Sequence, residues 1–240
     1  MNQDHNKLFP NQIIDNDPTE CVALTVADIC GNIDGQLYDP DPIYANALRI
    51  ENESPNTLGL DPLAGMQAAV VYGNLPISQA TFTAKTTSQL YIANWQNYTK
   101  DQRTIALQHP QRGIKTLTSY QDIVSHLNKG IGGVALAMKW YSNFMSPDQN
   151  GLLPTPKGPN TFHCTAVYEN PLIGLQVKPW LGASYAQGGY CYLNQTTFNQ
   201  VFVGAFAFDP SAWRWFNLAS ISVTHPWIIP DTLPQMYVGS

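Results

Sequence analysis

Two residues of this chain have the types that nucleophilic chemistry needs, a cysteine at position 21 and a histidine at position 163. Cys21 stands at the start of ECVALTVADICGNI, where Val22, Leu24, Val26, Ile29 and Ile33 are apolar, Pro18 and Thr19 precede, and Gly31 lies near the end. That pattern predicts a buried helix with the thiol in its first turn. The positive end of the helix dipole and the unpaired amides there lower a thiol pKa. A thiol nucleophile also needs a base that takes its proton and returns it to the leaving group. Of the five histidines, His5 lies in a polar tail, and His109 and His225 each precede a proline. His126 follows Asp122 by four residues on a predicted helix, which predicts a solvated ring facing that carboxylate. His163 opens the strand FHCTAVYE after the loop LLPTPKGPN, where turns can present its ring to a cleft.

The remaining cysteines, Cys30, Cys164 and Cys191, read as core or strand residues. His163 and Cys164 are strand neighbours, so their side chains point to opposite faces and do not readily share a metal ion. Neither GxxxxGK[ST] nor GxGxxG occurs, and no cofactor is expected.

The elements that must position this pair change character along the chain. DPIYANALRIE, opened by Asp41 and Pro42, and LDPLAGMQAAVVYG, opened by Asp61 and Pro62, both predict helices with proline in the first turn. After about Gln102 short strands are expected: TIALQ, then GGVALAMKW behind the helix SYQDIVSHLNKG, then FHCTAVYE, IGLQVKPW and GGYCYLN. Period-two alternation is clear in HCTAVYE and GLQVK. Helices followed by strands is an α+β arrangement, with two lobes and a cleft between them.

Composition narrows the function classes. Of 240 residues only 29 are charged, whereas 19 Asn and 17 Gln make the surface polar without making it ionic. A formal charge of −5 offers no basic stripe, which argues against nucleic acid. The apolar stretch VFVGAFAF is too short to span a bilayer, and the polar start MNQDHNKLFPNQ lacks a signal-peptide pattern. A reducing, cytoplasmic setting, or incorporation in a virus-like assembly, is the expectation. From Thr197 to Ser240 the charges are Asp209, Arg214 and Asp231 amid many aromatics. Strands from this segment are expected to complete a core, the other reading being an aromatic surface that docks a protein partner.

Over about residues 12 to 195 the chain resembles the papain-like (C1-type) cysteine peptidases, in particular their bacterial and phage branch. ECVALTVADI is similar to the family's Ser-Cys-x-Ala helix, FHCTAVYE to its His-Ala-Val strand, and VKPWLGASYAQGGYCYL to its Lys-Asn-Ser-Trp-Gly…Gly-Tyr segment. DPIYANALRI with GLDPLAGMQAAVVYGNLPIS, and SYQDIVSHLNKGIGGVALAM, resemble the helices and strand between them. Cys21 and His163 stand 142 positions apart, within the gap of roughly 130 to 150 residues seen in such enzymes.

The resemblance implies Cys21 as nucleophile and His163 as base, with departures around them. Pro179 occupies the position of the family's imidazole-orienting Asn and has no side-chain donor or acceptor, so that role is expected to stand vacant. Gln176 is the nearest amide that can substitute. Leu181 takes the position of the shielding Trp, with Trp180 beside it. The family's oxyanion Gln falls at Asp15, leaving Asn16, or more remotely Gln12, as amide donors beside the Cys21 backbone N–H. Glu20 is expected to point to solvent, since an inward carboxylate raises the thiol pKa.

The fold expected is a papain-like domain over 1–225, with a helical lobe over about 11–101 and a β-rich, barrel-like lobe over about 102–225, followed by a tail at 226–240. The leading function is hydrolysis of peptide bonds in a peptide or protein substrate. The alternative is a catalytically impaired homologue serving as a structural or binding component of an assembly such as a phage particle. No inhibitory pro-region is expected before the nucleophile.

Overall fold

The computed structural model describes residues 20–54, 57, 59–80, 94–182 and 184–210. Its first helix, α1 (Cys21–Asp34), is enclosed on every side from Cys21 to Gly31. A helix that is apolar all round belongs in a core, and each fully buried Val, Leu or Ile contributes about 1.5–3 kcal/mol. It ends at Gly35, whose φ of 70° is left-handed and whose N–H bonds the Gly31 carbonyl.

Two capped helices pack on α1. In α2 (Pro40–Glu51) Asp39 caps the end by accepting from the Asp41 N–H, so the helix begins earlier than the Asp41–Pro42 start expected. In α3 (Pro62–Val71) Asp61 is the cap and Pro62 the first residue, as the sequence predicts. Gly65 of α3 lies so close to α1 that an added Cβ would stand 2.5 Å from Val22 Cγ1. Glycine is what permits this helix contact.

The expected strand TIALQ is instead the end of a helix, α4 (Lys100–Ala106). Thr99 accepts from the Gln102 N–H, and the Gln102 side chain accepts from the Thr99 N–H. This capping box commits the segment to a helical start against its apolar run. The helix SYQDIVSHLNKG appears as α5 (Tyr120–Leu127), and α6 (Gln195–Val201) precedes the last strand.

Among the described residues six antiparallel strands form one sheet in the order β1-β6-β2-β3-β4-β5. They are β1 (Ile114–Leu117), β2 (Val134–Tyr141), β3 (Asn160–Glu169), β4 (Leu175–Lys178), β5 (Cys191–Leu193) and β6 (Phe202–Phe208). Small residues on one face, Ala135, Cys164 and Ala166, join Phe208 and the α1–α3 helices in one core. The opposite face, with Val134, Leu136, Met138, Trp140, Val167 and Val177, builds a second core with Ile123 of α5 and Phe198 of α6. Both faces of β2 therefore serve cores, which is why that strand reads as a nearly continuous apolar run, while β3 keeps its period-two alternation in sequence. β6 lies inside the sheet between the edge strand β1 and β2, so the start of the aromatic C-terminal stretch joins the core, while 211–240 lie outside the described residues. Among the described residues no helix is long and apolar enough to cross a membrane.

Candidate active site

The face of α1 turned to the sheet carries Cys21, Thr25 and Asp28, four and three residues apart, the spacing that stacks side chains on one side of a helix. Each meets a residue of β3 or of the end of β4. Cys21 Sγ lies at the backbone N–H of Cys164, the residue after His163. Thr25 Oγ1 accepts from Trp180 Nε1–H at 2.9 Å. Asp28 Oδ1 accepts from Lys178 Nζ at 3.1 Å, and its Oδ2 accepts from the Tyr168 hydroxyl. The Asp28–Lys178 pair is buried, with side-chain exposures of 0% and 4%. Lys178 Nζ also stands 4.5 Å from the Trp180 ring centroid, within cation–π reach.

His163 is held from a different direction. Its Nε2 lies 2.8 Å from the Pro179 carbonyl oxygen. A carbonyl only accepts, so this bond fixes the proton on Nε2 and leaves the lone pair on Nδ1. The ring packs edge-on to Trp140 at a centroid distance of 5.2 Å. The contact is made by the backbone at the position whose side-chain role was expected to stand vacant. Proline brings no side-chain group there, yet its backbone oxygen takes the imidazole N–H. Gln176, the side-chain substitute considered, stands in β4 with its backbone in register with Glu169 of β3 and Tyr192 of β5.

The geometry that aims this carbonyl is unusual. Trp180 has φ 62°, a left-handed conformation that costs a non-glycine residue about 1–2 kcal/mol. Trp180 lies in the buried core against α1.

Electrostatics at the pair differ from what the helix dipole alone implies. Cys21 is only 6% exposed. Burial pushes its thiol up, and the N–H groups of Cys164, Val22 and Cys21 itself pull it back only in part. Burial also lowers the basicity of His163, with the Pro179 carbonyl opposing. Both effects favour the neutral thiol and neutral imidazole. No hydrogen bond joins Sγ to the ring among the described residues. The structure brings Cys21 against the backbone N–H of Cys164, next to His163.

The other cysteines are buried, as the sequence predicts. Burial raises the Cys30 and Cys164 thiols well above their ordinary range. It takes Cys191 to about 12, with Tyr185 opposing.

His126 departs from expectation, being buried with neither ring nitrogen hydrogen-bonded. Asp122, its expected partner, accepts instead from the N–H and hydroxyl of Thr118. His109 Nδ1 lies 3.1 Å from Gln36 Nε2. Gln12, Asn16, His5 and His225 lie outside the described residues.

An acidic pair that the sequence reading did not single out lies beside the N-terminus of α1. Burial raises Asp41 to about 8, with Asp39 and Glu20 adding to the effect. Asp39 rises to about 6, again from burial and opposed by the Asp41 N–H. Glu20 is half-buried rather than fully in solvent, and its charge reaches Asp41. Asp39 is the cap of α2 and Asp41 lies in its first turn, so local pattern explains them without revealing their burial.

No protein-family profile matches this chain, and no curated protein matches it either. Its fold is similar to that of xylellain, a cysteine protease from Xylella fastidiosa, with TM-score 0.66 and 11% identity over 79% of each chain. It is also similar to the Carica candamarcensis cysteine protease CMS1MS2 in complex with E-64, with TM-score 0.57 and 14% identity over 85% of this chain and 95% of that one. The bromelain protease from Ananas comosus, in complex with the E64 inhibitor, matches with TM-score 0.57 and 12% identity over 86% and 97%. The likeness is one of fold: this chain has the papain-like α+β architecture.

Proposed function

We propose that the protein is a cysteine peptidase in which Cys21 is the nucleophile and His163 the general base. The observation that carries this reading is the 2.8 Å contact from His163 Nε2 to the Pro179 carbonyl. It does for the imidazole what a general base requires, fixing one nitrogen as donor and leaving Nδ1 to take a proton. That it occurs in a papain-like fold whose core helix begins at Cys21 supports the assignment of roles.

In this reading Nδ1 removes the Sγ–H proton as Sγ bonds to the carbonyl carbon of the peptide. The carbonyl oxygen becomes an oxyanion beside the Cys21 N–H. As the C–N bond breaks, Nδ1 returns the proton to the departing amine and a thioester remains. Water then attacks the thioester, giving a proton through Nδ1 to the sulfur that leaves, and the products are a carboxylic acid and the free thiol. The other donors expected, Asn16 and Gln12, lie outside the described residues, and one oxyanion donor is worth on the order of 10² to 10³ in rate.

Labelling with an epoxysuccinyl probe at pH 8, read by peptide mapping, tests the assignment. Wild-type protein is expected to carry one label at Cys21. Cys21→Ala should carry none, and His163→Ala should cleave a peptide substrate at least ~10²-fold more slowly than wild type. A folded wild-type protein unlabelled at Cys21 would overturn the reading. The near-complete burial of Cys21 and the absent thiol–imidazole bond would then favour the competing one, a papain-fold module that binds within a larger assembly without hydrolysis.

A further inference from the structure

Between Lys178 and Trp180 the chain is pinned twice to α1, and the one residue between the pins is Pro179. Lys178 Nζ reaches Asp28 at 3.1 Å, and Trp180 Nε1–H reaches Thr25 Oγ1 at 2.9 Å. Thr25 and Asp28 are three residues apart and so neighbours on the same helix face. The Pro179 carbonyl oxygen is held over the His163 ring from within this clamp.

The backbone angle explains why the clamp matters. The Pro179 carbonyl and the Trp180 nitrogen belong to one planar peptide unit. Rotation about the Trp180 N–Cα bond therefore sets where that carbonyl points relative to the indole. At φ 62° Trp180 is in a region that side-chain-bearing residues avoid. Left to its own preference the residue relaxes to negative φ, and the peptide unit swings relative to the indole. The indole is what cannot follow freely, being buried and bonded to Thr25.

We propose that Thr25 and Trp180 are positioning residues for His163: their hydrogen bond holds Trp180 in the left-handed conformation that aims the Pro179 carbonyl at Nε2. This rests on the reading of His163 as the base, yet it concerns a hydrogen bond that can be observed without any reaction. α1 then supplies both the thiol, through Cys21, and the group that orients its base, through Thr25.

The test is long-range ¹H–¹⁵N correlation of the His163 imidazole in the whole protein, with solvent exchange of the Nε2 proton. In wild type the ring is expected as the single Nε2–H tautomer. Thr25→Val removes the acceptor at nearly constant volume and should speed that exchange by about fivefold or more, the equivalent of one net hydrogen bond. It should also introduce the Nδ1–H form, while Thr25→Ser, which keeps the hydroxyl, should restore the wild-type spectrum. Trp180→Phe keeps a ring but loses the N–H and should reproduce the Thr25→Val spectrum, and the double variant should go no further because one bond is shared.

An unchanged tautomer and exchange rate in folded Thr25→Val or Trp180→Phe overturns the proposal, whatever the labelling of Cys21 shows. A shifted tautomer in a protein whose Cys21 does not label upholds the clamp and removes only the peptidase reading.

Discussion

Alkylation of Cys21 is expected to accelerate with pH through the whole neutral range. Burial places the thiol pKa above its ordinary value of 9.0, and the neighbouring N–H groups only partly offset this. A thiol with a pKa of 9 or more is about 1% thiolate or less at pH 7, and each further pH unit raises that fraction about tenfold. The second-order rate constant with iodoacetamide should thus rise about 100-fold from pH 6 to pH 8, with no plateau below about pH 9. His163 does not alter the slope, because burial lowers its proton affinity, with Pro179 opposing, and no hydrogen bond couples it to Sγ in the resting protein. A thiolate already paired with an imidazolium predicts the opposite, a rate constant within about twofold over the same window. The assay is quenched alkylation with peptide mapping, so that Cys21 is counted apart from Cys30, Cys164 and Cys191, whose deeper burial makes them slow. A flat profile between about pH 5 and pH 8 would refute the argument that burial outweighs the amides and the helix end at this thiol.

Two further outcomes concern buried charge. Lys178→Met leaves Asp28 buried with its Tyr168 bond but no cation, and should lower stability by about 3–5 kcal/mol in urea unfolding; adding Asp28→Asn should recover part of the loss, whereas a cost below about 1 kcal/mol would mean the pair behaves as an exposed one. Asp39 and Asp41, at about 6 and about 8 when folded against 3.8 otherwise, keep protons that the unfolded chain releases, so stability falls as pH rises from that lower value through the folded ones. Asp41→Asn should therefore stabilise by on the order of a few kcal/mol near pH 8.5 and change little near pH 4, and equal effects at both would exclude titration as the cause.

Much of the framework was legible because it depends on local pattern. Pro62 after Asp61 marks the start of α3, and the apolar sequence after Glu20 marks α1 with Cys21 as its first residue. The strand β2 announces itself as an apolar run and β3 by its period-two alternation. The errors have equally local causes. TIALQ has the composition of a strand, but the Thr99–Gln102 capping box, which opens five residues upstream, decides for a helix. His126 follows Asp122 at helical spacing, but the Thr118 N–H and hydroxyl reach that carboxylate, and the histidine turns into the core.

By itself the sequence determined which chemistry is available: one cysteine at a helix start, one histidine on a strand, and a resemblance that relates them. It also determined that the position expected to hold an orienting Asn holds Pro179. What it left open was whether anything orients the ring, because a reading of side-chain types assigns proline no hydrogen-bonding group. The tertiary structure adds a contact of the ring with the backbone, at the Pro179 carbonyl. A carbonyl is present at every residue, and only the fold determines where it points. Here that direction depends on Thr25 and Asp28 meeting Trp180 and Lys178, partners 155 and 150 positions apart. The same packing buries Cys21 against Cys164 and raises a thiol that its place on the helix would have lowered. Local pattern reports the dipole, which acts within one helical turn, while desolvation is a property of everything that surrounds the sulfur.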